Sequence, residues 1–110
     1  MAFVVQWPGT NLELGGKLIT QHIIDAKSRL YPLDEWIAAE VEVHGNELVI
    51  HRINGKEVFR YNHPRLDPTD SGARALIQLG QPLQLGYGHI ALQAESQPIW
   101  FRNIELRQLD

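Results

Sequence analysis

Residues 48–61 read LVIHRINGKEVFRY, and the arrangement of this stretch decides the fold. Two short runs rich in β-branched and aromatic residues flank Asn54-Gly55, the pair a two-residue hairpin turn favours because both central positions need positive φ. Pairing across that turn sets Ile53 against Lys56, His51 against Val58 and Ile50 against Phe59. Leu48, Ile50, Phe59 and Tyr61 are then expected on one face, the core face, with Val49, His51, Val58 and Arg60 on the other. His51 stands out because Val or Thr would serve a strand better at its position.

The same period of two extends outward in both directions. Upstream, WIAAEVEV (residues 36–43) alternates Ile37, Ala39, Val41 and Val43 with Ala38, Glu40 and Glu42. Reading HGNE (residues 44–47) as a four-residue loop pairs Val43 with Leu48 and Val41 with Ile50. Glu40 is thereby expected opposite His51, with Glu42 one pair along. FVVQW (3–7) and KLITQHIID (17–25) are strand-like, as are GHIALQA (88–94) and IWFRNIELRQL (99–109), the last with an expected bulge at Arg102-Asn103. The exception is 64–85, opening on Pro and Asp turn chemistry, where SGARALIQL supports a short helix at most. The expectation is one all-β domain over residues 1–110, an antiparallel sandwich with a long loop or short helix at about 64–85.

Composition narrows the function. At 110 residues the chain holds one core, and 44% hydrophobic with 21% charged residues is ordinary globular chemistry. A formal charge of -3 argues against a nucleic-acid binder, which needs a basic face. Without cysteine there is neither a disulfide framework nor a thiolate metal site. The five histidines share no ligand spacing within an element, so no metal and no cofactor are assigned. GYG (86–88) lacks the Lys-Ser/Thr and the helix of a phosphate loop. MAFVVQWPG has no basic n-region, and no run is long and apolar enough for a membrane span, so a soluble chain without an export signal is expected.

The alternation collects a polar set on one outer sheet face: Glu40, Glu42, His51, Gln93, Arg102 and Asn103, with Glu95 and Ser96 at the adjacent hairpin end. Glu40 beside His51 forms a candidate acid/base pair, and a carboxylate there raises the proton affinity of the imidazole. Glu40 and Glu42, about 6.5 Å apart at Cα, fall within the carboxylate spacing of roughly 5 to 10 Å used in glycoside chemistry. Gln93 and Arg102 are candidate readers of hydroxyls and carboxylates. Trp100 is the candidate for stacking on a sugar ring, with Trp36 read as packing at a strand end. Each has a plain structural alternative: cross-strand charge pairs and alternating glutamates on a solvent-facing sheet.

Four motifs in order give these residues a family context. Trp36 opens a strand, His51 to Gly55 forms H-x-x-N-G, Gly88 to Gln93 forms G-x-I-x-L-Q, and FRNI occupies 101–104. The chain thereby resembles the C-terminal half of the 3-keto-disaccharide hydrolase domain family. The resemblance implies a concanavalin A-like (laminin G-like) jelly roll, a glycoside or oligosaccharide as partner, and relatives that are often exported. Family domains usually run to about twice this length, so a half sandwich with open edges is expected to form a homodimer. Three functions remain open at this point: a carbohydrate-binding sandwich, a 3-keto-disaccharide hydrolase using Glu40 and His51, and a non-enzymatic assembly module.

Overall fold

The computed structural model describes residues 4–6, 9–21, 23–25, 27, 29–94 and 98–109. Seven strands and one helix follow in order: β1 (Val4–Gln6), β2 (Thr10–Leu14), β3 (Lys17–Ile19), β4 (Ile23–Asp25), β5 (Ala39–His44), β6 (Leu48–Ile53), β7 (Lys56–Leu66) and α1 (Ser71–Gln78). β1 and β4 form an antiparallel pair, and the other five make an antiparallel sheet in the order β3-β2-β7-β6-β5. The chain is all-β and sandwich-like, as the period of two implies. Among the described residues no helix is long and apolar enough to cross a membrane.

The Asn54-Gly55 turn forms with both residues at positive φ, 50° and 81°, and it pairs Ile53 with Lys56. Beyond Arg52 and Glu57 the register slips by one, so that His51 faces Phe59, Ile50 faces Arg60 and Val49 faces Tyr61. Val58 is the extra residue of this bulge. Its carbonyl accepts from the Lys27 N–H at 2.8 Å, so the bulge leaves no orphan acceptor. Val58 and Phe59, consecutive in sequence, are consequently both buried.

The turn before β6 corrects the other half of the hairpin reading. The Glu47 N–H donates to the His44 carbonyl at 2.9 Å, and His44 itself pairs with Leu48. The loop therefore has three residues, 45–47, with Gly45 at φ 53°, a left-handed conformation that glycine adopts without steric cost. One residue fewer in the loop moves every β5 side chain across the sheet relative to β6. Glu40 lands against Arg52, Val41 against His51 and Glu42 against Ile50.

Both shifts act together. Val49, His51 and Ile53 share a face with Val41, Val43, Phe59 and Tyr61, and this is the core face. The core cluster joins Leu12, Tyr31, Val49, Ile53, Val58, Phe59 and Tyr61, with Leu14, Ile19 and Ile37 packed against it. Ile50, expected in that core, is buried on the opposite side between Glu42 and Arg60.

β7 also runs further than Pro64 implied. Asn62 faces Glu13 and Arg65 faces Asn11, leaving His63 and Pro64 together against Leu12. His63 takes φ 48°, and Pro64, which has no N–H to give, sits at the resulting bulge. The strand resumes to Leu66 because neighbours satisfy the displaced groups. His63 N–H bonds the Asn46 carbonyl, while Asn46 Nδ2 donates to the carbonyls of Pro64 and Leu85, both at 2.8 Å.

Helix α1 follows behind an Asp70 cap whose carboxylate accepts from Ala73 N–H at 2.9 Å. Gly9, at φ 81°, lies so close that a Cβ there would come within 2.9 Å of Asp70 Oδ2. Residues 88–94 and 99–109, expected as strands, belong to no strand among the described residues, and their large apolar side chains are exposed.

Candidate functional site

The sheet face opposite the core carries a ladder of charges built by the three-residue turn. Alternation along β5 sends Glu40 and Glu42 to this side, and alternation along β6 sends Arg52 between them. Arg52 NH1 donates to Glu40 Oε2 at 2.5 Å and to Glu42 Oε1 at 2.9 Å. The other Glu42 oxygen lies 2.5 Å from His44 Nε2. Hydrogen bonds from His44 and then Arg52 hold the Glu42 carboxyl below the ordinary carboxylate range, so it stays ionised. Glu57 and Arg60 extend the ladder on β7, paired at 2.8 Å, with Ile50 as its buried floor.

The C-terminal segment makes a second arginine contact just ahead of β5. The Arg102 guanidinium carbon lies 3.9 Å from the centroid of the Trp36 ring, a stacked cation–π contact. Ile37, the next residue, packs against the core cluster, and Trp36 is half exposed. Ala38, immediately ahead of β5, is fixed by two bonds with Asn54, its N–H to Oδ1 at 3.0 Å and its carbonyl to N–H at 2.8 Å. The hairpin turn thus anchors the chain next to Trp36. Trp100, two residues before Arg102, is 82% exposed.

His51 is not part of this face. Its ring stacks on Tyr61 at 5.7 Å between centroids and tilts against Phe59 at 6.2 Å, with Nε2 3.5 Å from the Tyr61 hydroxyl. Desolvation among these rings lowers its pKa below the usual imidazole value, the opposite of what a neighbouring glutamate does. Glu40 and His51 therefore lie on opposite faces and form no acid/base pair. Nor are Glu40 and Glu42 free to flank a glycosidic oxygen, because one guanidinium nitrogen sits between them. Of the other candidates, Gln93 and Asn103 are exposed outside the sheet, Asn103 at φ 54°, and Glu95 and Ser96 lie outside the described residues.

Sequence reasoning passed over Arg52 and the partner of Arg102. The signal for Arg52 was its parity with Ile50, hidden by the assumed loop length. It also missed Glu13, which takes an ion pair from Arg65 and has His63 Nδ1 3.3 Å away on the far side of β7. That arrangement depends on the His63 bulge, and nothing in the local pattern announces it. Among the described residues no three His, Asp or Glu side chains converge as metal ligands.

Comparison with known proteins gives this arrangement its context. A sequence model of the 3-keto-alpha-glucoside-1,2-lyase-like domain matches residues 6–107, which include all four motifs from Trp36 to FRNI. No curated protein and no solved structure gives a significant match. With nearly its whole length matched, the chain belongs to the 3-keto-alpha-glucoside-1,2-lyase-like (3-keto-disaccharide hydrolase) domain family.

Proposed function

We propose that this chain is a carbohydrate-binding β-sandwich domain that holds a glycoside, of the 3-keto-glucoside class its family name indicates, on the Trp36 side of the charged face. The observation that carries this reading is Arg102 stacked on Trp36, just ahead of the strand whose Glu40 and Glu42 hold Arg52. Sugars are bound by pairing planar polar groups with hydroxyls while an aromatic face covers the apolar C–H side of the ring. Arg102 is a rigid donor fork, Glu40 an exposed acceptor, and Trp100 an uncovered indole.

Binding fits these groups better than turnover does. A general acid must carry a proton at working pH. Glu42 is held ionised, and His51, biased toward its neutral form, faces the other way. Hydrolysis or elimination by this chain alone rests on family membership and needs groups other than the Glu40–His51 pair.

Calorimetric titration with a panel of glucosides, disaccharides and their 3-keto forms tests the reading. Binding of at least one member is expected, weakened about tenfold or more in Arg102→Ala or Trp100→Ala, as the loss of one stacked or forked contact implies. A wild-type protein that binds none of the panel, or variants that bind as wild type does, would sink it. Conversion of the 3-keto forms during prolonged incubation would instead favour the enzyme.

A further inference from the structure

Strand β5 is an edge of the five-stranded sheet, bonded to β6 on one side, and among the described residues no strand pairs with its other side. Val41 and Val43 lie on its core-facing side, yet they remain 37% and 45% exposed. Residues 104–109, IELRQL, have the complementary deficiency. They carry a strand-like alternation and belong to no strand, with Ile104 72% and Leu106 89% exposed. An open edge and an alternating segment outside any strand carry the complementary backbone groups that β-strand addition joins.

We propose that residues 104–109 of one copy add as an antiparallel strand to the β5 edge of a second copy, and that the exchange is reciprocal about a twofold axis. Charge sets the register. With Leu106 beside Val43 on the core side, Arg107 falls beside Glu42 and Glu105 beside His44, so Arg107 meets an opposite charge and Glu105 meets no carboxylate. The reverse direction, with Leu106 kept beside Val43, puts Glu105 beside Glu42, a like-charge contact.

A second copy, rather than the same chain, supplies the strand for a geometric reason. The segment is tied down immediately ahead of its own β5 by Arg102 on Trp36. Asn103 then takes φ 54°, which breaks the extended run directly after the anchor. With that anchor made, Val41 and Val43 of the same chain stay open. Because each copy both gives and receives a segment, the contact closes on itself and yields a dimer instead of a fibre.

The absence of native cysteine makes the test clean. Val43→Cys and Leu106→Cys are prepared separately, mixed and mildly oxidised, and both positions are exposed, so both variants keep the fold. The mixture is expected to give a covalent species of twice the 12.5 kDa chain mass, well above either variant oxidised alone. Light scattering on the uncross-linked protein is expected to give the dimer mass, falling to the monomer in Leu106→Asp. A wild type that stays monomeric at high concentration overturns the proposal. So does an intrachain disulfide in the double variant without mixed cross-linking, which would place the segment on its own β5. A dimer that survives Leu106→Asp and fails to cross-link would put the interface elsewhere.

Discussion

The hairpin of β6 and β7 and the segment at 88–109 have the same kind of sequence, short runs in which apolar and polar residues alternate. One is the centre of the sheet and the other joins no strand pairing among the described residues. The difference is in their neighbours, since alternation only declares which side chains share a face. A strand forms when an adjacent backbone accepts its hydrogen bonds and an opposite layer covers its apolar side. Asn54-Gly55 delivers that neighbour within two residues. Residues 88–94 would have to find theirs far along the chain, or on another copy.

Truncation in the hairpin's core is the strongest way to break this contrast. Leu12 on β2 is 1% exposed and packs into the cluster with Val49, Phe59 and Tyr61. Leu12→Ala is expected to cost about 2–5 kcal/mol through lost transfer energy and the cavity left behind. Denaturant titration measures it as a lower midpoint at unchanged slope. A shift below about 1 kcal/mol would mean that this cluster is no better packed than a surface.

The middle-sized effect concerns His51, and it also shows how far the sequence could be read. Its folded pKa is lowered by desolvation, so the folded state favours the neutral ring. The unfolded chain takes up that proton near pH 6.5, the ordinary imidazole value. Stability is therefore full above that pH, falls as pH drops through it, and levels off once the folded ring is also protonated. His51→Phe is expected to remove this part of the acid sensitivity, read as the difference between the two proteins' urea midpoints from pH 7.5 to 5. A histidine paired with Glu40 would give the opposite sign, with stability gained on acidification.

That opposite sign is what the sequence alone implied, and the reason it failed is local. The two-residue turn was legible because Asn-Gly names its own geometry. The helix start was legible because Asp70 stands one residue ahead of it. HGNE supports a three- or a four-residue loop equally well, and the outcome rests on Gly45 adopting positive φ. Val58 as a bulge residue depends on Lys27, some thirty positions away in sequence. A single residue of loop length carried His51 from the charged face into the aromatic one, and with it went the acid/base pair. Arg102 reaching Trp36 was beyond any pattern, because it joins two segments that the sheet itself does not connect.

The smallest expected effect sharpens the comparison most. Leu106→Ala is the same chemical change as Leu12→Ala, made at a side chain 89% exposed instead of 1%. In dilute solution, where the chain is a monomer, no apolar area is lost from a core and the change should stay within about 0.5 kcal/mol. The exchanged strand gives a different expectation as concentration rises, because a dimer's stability depends on mass action. Wild type should then gain in melting temperature while Leu106→Ala lags behind, and Leu12→Ala should keep a constant deficit. If the two leucines hold the same offsets at every concentration, Leu106 is a surface residue and the alternation around it has no partner to meet. If the gap at Leu106 opens with concentration, the segment differs from the hairpin only in having its neighbouring strand on another molecule.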